Sequence, residues 1–247
     1  IIGILLSVAR MIAMAILASI QKKKDKKSES AAFPAFLLGT KNQYPLVSVI
    51  IPAYNEEVNS IRTVNSLLAQ DYPEIEIIFV DDGSKDETFL RVSNSFKDNS
   101  TVQVYTKING GKASALNFGI QKSNGDYVVC IDADTQLKTD AITLLMKKFD
   151  NEEVGAVAGN VKVGNEVNLI TRWQSIEYIT SQNFDRMALD LLNCITVIPG
   201  AICSFRKDAI LISGGFTIDT LAEDCELTLR LLRNGYVVRN CTEARSY

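Results

Sequence analysis

Histidine is absent from this 247-residue sequence, and its five cysteines include no C-x-x-C pair. Without imidazole these residues cannot form a Ser-His-Asp or Cys-His catalytic centre or a His-ligated zinc site. Any acid, base or metal ligand must therefore be a carboxylate, a lysine, a tyrosine or a cysteine. The cysteines lie mostly in apolar or helical stretches, which indicates free, mostly buried thiols and a reducing compartment.

An excess of positive charge is also missing, because 26 Lys and Arg stand against 29 Asp and Glu. This balance provides no general attraction to a polyanion, so we do not expect nucleic-acid binding over a broad basic face. The length suits one large domain with a flank, or two small domains. A domain of roughly 150 to 250 residues buries about 70% of its unfolded surface, so a substantial core is expected.

The N-terminal 20 residues are apolar except for Arg10 and two serines, and the basic run QKKKDKK follows at once. Such a stretch is long enough to cross ~30 Å of hydrocarbon as a helix. We interpret residues 1–20 as a transmembrane helix and residues 21–45 as a basic cytoplasmic linker, since positive charges mark the cytoplasmic side. An interfacial helix, which Arg10 would suit, and a signal peptide are the alternatives.

From residue 46 onward, short apolar runs alternate with helical patterns. The predicted strands cover residues 46–54, 75–82, 102–106, 126–134 and 154–163. Apolar residues at three- and four-residue spacing predict a helix after each of the first four, with Asp140 as a cap for the last. This alternation predicts an α/β fold with a mostly parallel sheet covered by helices on both faces.

The pattern changes in the C-terminal part of the chain. Residues 169–192 read as one or two long helices, and residues 194–210 as a strand, a Pro-Gly turn and a second strand. A final helix begins with acidic residues near Glu223 and ends at Asn234-Gly235, as helix termini prefer. We expect the chain to be an excerpt of a longer protein, with its globular domain, residues 46–247, truncated at the C-terminus.

Carboxylates accumulate where the predicted strands end. In an open parallel sheet the ligand crevice lies beyond the carboxyl ends of the strands, near the point where strand order reverses. Like charges gathered there repel one another unless they share a cation or a proton. The residues at these ends are Tyr54-Asn55-Glu56, Asp81-Asp82-Gly83 and Asp132-Ala133-Asp134.

The D-x-D sequence Asp132-Ala133-Asp134 is the strongest metal-binding candidate. Alternate residues of a strand point to the same side, so both carboxylates are expected to face one ligand. Hard oxygen ligands without histidine or thiolate suit Mg²⁺ or Mn²⁺ held together with substrate phosphates. A D-x-D alone occurs by chance in turns, but its position after the apolar run YVVCI strengthens the prediction.

Three further segments have both a structural and a functional interpretation. One acid of Asp81-Asp82 can cap the next helix, which leaves the other to accept hydrogen bonds from a base or ribose. The loop 109–112, NGGK, offers backbone N–H groups and an ammonium to a diphosphate, although it lacks the spacing of a Walker loop. Glu223-Asp224 can cap a helix or accept a proton from an alcohol.

Taken together, these stretches resemble family 2 glycosyltransferases, which have the GT-A nucleotide-sugar fold. The resemblance runs from residue 46 to the C-terminus, and its last two stretches are most similar to the processive membrane synthases of cellulose, chitin, hyaluronan and poly-N-acetylglucosamine. The matching stretches are VIIPAYNEE (49–57), FVDDGSKDET (79–88), NGGKASALNFGI (109–120), GDYVVCIDADT (125–135), PGAICSFRKDAI (199–210) and TLAEDCELTLRLLRNGY (220–236).

The resemblance implies a role for each matching residue. Asp224, within Ala-Glu-Asp and beside Glu223, would be the general base, and Pro199 and Gly200 would lie in the acceptor region. Asp134, with Asp132, would bind Mg²⁺ or Mn²⁺. The reaction would invert the anomeric carbon in one displacement, with the metal stabilising the departing UDP. The donor nucleotide would be held by Ala53, Tyr54, Glu56, one or both of Asp81 and Asp82, Lys112 and Asp132.

The resulting hypothesis is a membrane-anchored glycosyltransferase whose catalytic domain faces the cytoplasm. It would transfer a sugar from a UDP-sugar, with UDP-N-acetylglucosamine favoured over UDP-glucose, to a growing β-linked polysaccharide. One alternative is the transfer of a single sugar to a lipid acceptor, and another is a non-catalytic nucleotide-binding subunit of a synthase complex. The Q-x-x-R-W stretch of the processive enzymes does not occur in this sequence.

Overall fold

The computed structural model describes residues 2–29, 33–35, 37–38, 43–162, 173, 184–220 and 222–247. Most of the predicted helical segment 169–192 therefore lies outside the described residues. The strands are β1 (Val47–Ala53), β2 (Ile75–Asp81), β3 (Val102–Thr106), β4 (Tyr127–Ile131), β5 (Val154–Val161), β6 (Ile202–Arg206) and β7 (Val237–Ser246). The helices are α1 (Ile2–Glu29), α2 (Ser60–Leu68), α3 (Thr88–Phe96), α4 (Lys112–Lys122), α5 (Ala141–Lys147), α6 (Arg186–Leu191), α7 (Lys207–Ile212) and α8 (Glu223–Arg233).

The strands form a seven-stranded sheet in the order β3-β2-β1-β4-β6-β5-β7. Strands β1 to β4 are parallel, β6 is antiparallel to both of its neighbours, and β7 is parallel to β5. The mostly parallel α/β architecture is thus confirmed. The chain first builds outward from β1 to β3 and then returns to place β4 on the other side of β1. The order reverses at β1, so a crevice is expected at the carboxyl ends of β1 and β4.

Alternation along the buried strands sends side chains to both faces of the sheet. In β1, Val49 and Ile51 join a core beneath α2, α3 and α5, whereas Ile50 joins a second core beneath α4, α7 and α8. Because both faces are covered, the central strands carry continuous apolar runs, as in VSVIIPA. Among the cysteines, Cys130, Cys203 and Cys241 are buried, and all five are free thiols.

The predicted strand-turn-strand segment 194–210 is a strand only at its centre, since residues 194–199 are irregular and residues 207–210 are helical. Residues 194–199 form no strand pairing with the other residues that the structure describes. Ile195 and Ile198 are buried, and the N–H of Ile198 donates to Oγ1 of Thr228 at 3.2 Å. The space beside β4 is already filled by β6, whose chain then turns directly into α7 at Lys207. Local apolar character predicted an extended segment here, but strand pairing depends on partners distant in sequence.

Smaller corrections concern helix and strand ends. The carboxylate of Asp140 precedes α5 but makes no capping bond, and its Oδ2 accepts from Nζ of Lys138 at 2.7 Å. Val58 lies before α2 and is 72% exposed, whereas Leu67 within the helix is buried. β4 ends at Ile131, so the Asp132-Ala133-Asp134 segment forms a turn rather than continuing the strand.

Helix α1 is continuous from Ile2 to Glu29, so it extends through the basic run. Its segment Gly3–Lys26 is long and apolar enough to cross a membrane. One face packs against α6 and the domain through Ala18, Gln21 and Asp25, which are buried. Large apolar side chains elsewhere on the helix are exposed, namely Ile4, Leu5, Leu6, Val8, Met11, Ile12, Ile16 and Ile20.

Gly119 is where α4 approaches the sheet most closely, since a Cβ there would overlap Cγ2 of Ile50 on β1. We expect Gly119→Ala to lower the free energy of unfolding by about 1–3 kcal/mol through overpacking. Chemical denaturation of the two proteins would measure this. The double variant Gly119→Ala/Ile50→Ala should lose less stability than the sum of the single variants, because both substitutions act on one contact. Additive losses would contradict the assignment.

Candidate active site

A cavity of about 470 Å³ opens at the carboxyl ends of β1 and β4, where the strand order reverses. Its walls come from the loops that follow β1, β2, β3 and β4 and from the start of α4. The lining residues are Pro52, Ala53, Tyr54, Glu56, Asp82, Asn109, Gly111, Lys112, Ala115, Asp132, Ala133 and Asp134. Seven of the predicted donor- and metal-site residues therefore line a single cavity, and Asp81 is the one that does not.

Two of the lining residues form an ion pair at the edge of this cavity. Nζ of Lys112, the first residue of α4, lies 2.5 Å from Oδ1 of Asp132, which directly follows β4. Both side chains remain about one-third exposed, so the pair borders the cavity instead of being sealed in the core. The resemblance placed both residues near the nucleotide phosphates, and the structure brings them into direct contact.

Asp224, in the first turn of α8, lies beside Gly200 near the Lys112 end of this ion pair. A Cβ added at Gly200 would lie 2.7 Å from Nζ of Lys112 and 2.8 Å from Oδ2 of Asp224. The backbone N–H of Gly200 also donates to the Asp224 carboxylate. Side chains from α4 and α8 thus converge on one glycine, which has no side chain to keep them apart.

Burial raises the pKa of Asp224 to about 6. The nearby ammonium of Lys112 opposes this rise in pKa, the charge of Glu223 adds to it, and the Gly200 N–H opposes it. An Asp with a pKa near 6 is ionised at neutral pH, and its proton affinity exceeds that of an exposed Asp. These are the properties that a general base needs near its working pH.

Lys112 stays cationic in this setting. Burial by itself would lower the pKa of Lys112, but the charge of Asp132, its hydrogen bond and the charge of Asp224 together raise the pKa above its ordinary value. The ammonium is therefore a permanent positive charge beside the cavity. Such a charge suits the recognition of an anionic ligand group.

The pair Asp81-Asp82 has two distinct structural roles. Asp81 accepts from the N–H of Ser84 and, at 2.8 Å, from Oγ1 of Thr106, and it lies outside the cavity wall. Gly83 has φ +73°, which glycine adopts without strain, and it packs closely on the loop that follows β3.

Asp82 anchors the NGGK loop. Its carboxylate accepts from Nζ of Lys107 at 2.6 Å, from the N–H of Gly110 at 3.1 Å and from the N–H of Gly111 at 2.7 Å. The prediction that these amides face a diphosphate is therefore wrong for Gly110 and Gly111, because a buried carboxylate already engages them. Their role is to hold the start of α4, and with it Lys112, at the cavity.

The loop after β1 is tied to the loop after β2 by reciprocal bonds that sequence patterns did not reveal. The N–H of Asn55 donates to Oγ of Ser84 at 2.9 Å, and the N–H of Lys85 donates to Oδ1 of Asn55 at 2.8 Å. Asn55 adopts φ +56°, which asparagine tolerates better than most residues. This clamp leaves the neighbouring Tyr54 with an exposed ring at the rim of the cavity.

The turn after β4 presents two carboxylates to the cavity. Oγ1 of Thr63, on α2, donates to the carbonyl of Ala133 at 2.7 Å, and the N–H of Thr135 donates to the carbonyl of Asp132 at 3.1 Å. These bonds orient Asp132 and Asp134 toward one space although the segment is a turn. The described residues contain no group of three or more His, Cys, Asp or Glu arranged to hold a metal ion.

Of the predicted acceptor residues, Pro199 ends the segment 194–199, and Gly200 follows it shortly before β6. Thr228 fixes them to α8, because its Oγ1 accepts from the N–H of Ile198 and donates to the carbonyl of Asp224 at 2.6 Å. Thr228 is buried and was not identified from the sequence. The only sequence signal was its position four residues after Asp224, one turn further along the helix.

A larger cavity of about 700 Å³ lies at the opposite end of β4 and contains none of the predicted site residues. Its cationic side chains are engaged by neighbours. The Arg206 guanidinium donates to the carbonyl of Asn151 and the hydroxyl of Tyr127, both at 3.1 Å, and Nζ of Lys207 donates to the carbonyl of Ser123 at 2.6 Å. We assign it no ligand.

Gly200→Ala tests the convergence of the site on this glycine. The backbone of Gly200 is not in the left-handed region, so alanine fits the main chain, but its Cβ would push Lys112 and Asp224 apart. We expect a folded protein with nearly unchanged melting temperature and about 100-fold lower transfer, since displacements of about 1 Å in a catalytic site can cost that much. A folded variant with full activity would contradict this geometry.

Residues 48–211 match the family described as Glycosyl transferase family 2. The chain belongs to this family. Its GT-A-like fold, with a cavity at the switch point of the sheet, agrees with this membership. The sequence is 32% identical over 194 residues to a poly-beta-1,6-N-acetyl-D-glucosamine synthase of Staphylococcus epidermidis. The aligned region covers 78% of this chain and 47% of the synthase. The chain thus spans about half the length of the curated relatives it matches.

Solved structures share the fold at lower identity. A mannosyltransferase of Pyrobaculum calidifontis, in complex with GDP-Man and Mn²⁺, has a TM-score of 0.71 and 22% identity, covering 99% of this chain and 67% of that one. The TarS protein of S. aureus, in complex with UDP-GlcNAc, has a TM-score of 0.61 and 20% identity, covering 82% and 57%. The predicted family, enzyme class and fold are confirmed.

Proposed function

We propose that this glycosyltransferase transfers N-acetylglucosamine from UDP-N-acetylglucosamine to a hydroxyl of a growing β-linked glycan, with inversion at the anomeric carbon. One observation carries the proposal: Asp224 and Lys112 meet at Gly200, and Lys112 pairs with Asp132 in the wall of a nucleotide-sized cavity. A base, a cation and a metal-binding carboxylate are the groups that direct displacement at a sugar diphosphate requires.

The cavity and the relatives both favour UDP-N-acetylglucosamine as the donor. Ala53, Tyr54 and Glu56 form one wall, where the exposed Tyr54 ring offers a stacking surface for a base. Lys112 and Asp132 lie on the side toward Asp224, so the diphosphate is expected between these groups. The staphylococcal relatives are named for poly-N-acetylglucosamine synthesis, and TarS was solved with UDP-GlcNAc, which favours the same donor here.

The carboxylates fit a divalent cation. Asp132 and Asp134 provide hard oxygen ligands on one turn, and the described residues add no histidine or thiolate. Mg²⁺ and Mn²⁺ are commonly held by one or two carboxylates together with substrate phosphates, so this sparse set is sufficient. A bound cation would neutralise negative charge on the departing diphosphate. Asp134 has no ion-pair partner within the described ranges, so it is the more accessible ligand.

Asp224 is the proposed acceptor of the nucleophile's proton. Its carboxylate lies near Nζ of Lys112, which lines the cavity, so an acceptor hydroxyl bound beside Lys112 would be within reach of this base. Lys112 keeps Asp224 ionised until the proton is taken up, and the Gly200 N–H orients the carboxylate. No covalent enzyme intermediate is needed.

Membrane location is part of the same proposal. The exposed apolar residues of α1 require a nonpolar environment, and the lysines that follow favour a cytoplasmic position for the catalytic domain. Cytoplasmic exposure would give the cavity access to nucleotide sugars.

The test uses the complete protein in membranes, supplied separately with UDP-N-acetylglucosamine and UDP-glucose, with Mn²⁺, Mg²⁺ or a chelator. We expect metal-dependent release of UDP and a β-linked product from the first donor, with the anomeric configuration read by NMR. A single sugar added to lipid would favour the non-processive alternative. Donor binding without any transfer by an intact, folded protein would favour the non-catalytic alternative.

A further inference from the structure

A second charged cavity, remote from the active site, lies where α1 meets the sheet. It has a volume of about 360 Å³, within the range of small-molecule sites. Its residues come from the basic end of α1, from α6, and from the ends of β5 and β7. The lining consists of Lys22, Asp25, Lys26, Asn160, Lys162, Met187, Thr242, Glu243 and Arg245.

Positive charge dominates this wall. Lys22, Lys26, Lys162 and Arg245 line the cavity, and none of them forms an ion pair within the described part of the chain. Basic side chains elsewhere in the protein do find carboxylates, as Lys112, Lys107 and Lys148 show. Four cations that line one cavity, without an ion-pair partner among the residues that the structure describes, produce a positive local potential.

The two acids of the wall do not cancel this charge. The Asp25 carboxylate is buried and already paired, since its Oδ1 lies 2.6 Å from Nζ of Lys148 and accepts from Nε2 of Gln21 at 3.3 Å. Glu243 accepts from Oγ1 of Thr242 at 2.6 Å. Even with Glu243 fully ionised, the cations in and beside the cavity outnumber the acids, so an anion is the ligand that this wall favours.

The position of the cavity along α1 identifies the source of the anion. The exposed apolar residues of α1 continue to Ile20, and Lys22 and Lys26 follow within two turns on one side of the helix. At a rise of ~1.5 Å per residue, Lys22 lies about 3 Å beyond Ile20 along the axis. If the apolar stretch occupies hydrocarbon, the cavity is at the level of the lipid headgroups.

We propose that this cavity binds the phosphate-bearing headgroup of an anionic phospholipid, with Lys22 and Lys26 on one side and Lys162 and Arg245 on the other. The site uses both α1 and the catalytic domain, so the bound lipid bridges the membrane anchor and the sheet. Met187 provides an apolar contact toward the glycerol and acyl region. Two of the four cations, Lys162 and Arg245, belong to the folded domain and not to α1. The proposed site is therefore more than a cluster of lysines on one helix attracted to a negatively charged membrane surface.

The test compares two double variants of the full chain in a neutral detergent. Lys162→Gln/Arg245→Gln removes two charges from the cavity, and the matched control Lys23→Gln/Lys24→Gln removes two exposed charges from α1 that do not line it. Native mass spectrometry would measure binding of phosphatidylglycerol and phosphatidylcholine. Melting temperatures without lipid would verify that both variants are folded.

We expect the parent to bind phosphatidylglycerol at least about tenfold more tightly than phosphatidylcholine, and only the cavity variant to lose this preference. Equal losses in the two variants would overturn the proposal, because they would indicate surface attraction alone. Thermal stabilisation by inorganic phosphate as strong as that by the lipid at equal concentration would also overturn it, since the site would then recognise free phosphate.

Discussion

Asp224→Asn is expected to reduce transfer about 10²- to 10⁴-fold while UDP binding stays nearly unchanged. Asparagine has almost the same shape and keeps an oxygen for the N–H of Gly200, but it cannot take up the proton of an acceptor hydroxyl. Steady-state turnover of the complete protein and calorimetric titration with UDP and Mn²⁺ would measure the two effects separately.

Glu226→Gln is the matched control for this substitution. It removes one carboxylate from the same helix, where Glu226 pairs with Arg230 at 3.2 Å away from the cavity. Its turnover should stay close to that of the parent. If Asp224→Asn retained the parent's turnover, the assignment of Asp224 as the base would be wrong.

The pH dependence of kcat/KM should follow the ionisation of Asp224. The pKa of Asp224 is raised to about 6, and a base acts only when deprotonated, so activity should fall as the pH decreases through about 6. Among the charged groups that face Asp224, Lys112 lowers its pKa, whereas Glu223 and Asp132 raise it.

Glu223→Gln therefore provides a directional check on the pH profile. Loss of the neighbouring negative charge should move the acidic limb of the kcat/KM profile to lower pH. A limb that does not move, in a variant that still turns over, would assign the titration to another group.

Asp134→Asn is expected to weaken Mn²⁺-dependent UDP binding about 10- to 100-fold, since one charged contact to the cation is lost. Asp134 is the exposed carboxylate of the turn and has no ion pair within the described residues, so it stabilises the fold little. Titration of UDP with and without Mn²⁺ would show the loss only when the metal is present.

Asp98→Asn serves as the control, because Asp98 is an exposed carboxylate remote from the cavity wall. It should bind UDP and Mn²⁺ as the parent does. Unchanged metal-dependent binding by Asp134→Asn would remove this residue from the metal site and leave Asp132 alone.

Local sequence was sufficient to predict most elements of the fold. Continuous apolar β-branched runs can be buried only in a sheet covered on both faces, so VSVIIPA and YVVCI were recognisable as central strands. VQVYT was predicted with the bounds that the structure has, and the last helix ends before Gly235, which adopts φ +85°. The place of β6 was not predictable, because its partners β4 and β5 are selected by long-range pairing.

For the candidate site, too, the sequence predicted some features and not others. Residue types and their places at strand ends, with the family resemblance, were sufficient to select Asp132, Asp134 and Asp224, because few groups other than carboxylates can act as base or metal ligand in a chain without histidine. The sequence could not show that Asp82 binds the glycine loop instead of facing the cavity freely.

The sequence by itself thus determined the chemistry that is available and the edge of the sheet where it is placed. Only the tertiary structure decided which groups touch: Lys112 with Asp132, and both Lys112 and Asp224 against Gly200. It also brought the lysines of α1 beside Lys162 and Arg245. The physical reason is that side-chain identity and local periodicity are encoded by near neighbours, whereas distances and pKa values depend on packing between segments far apart in the chain.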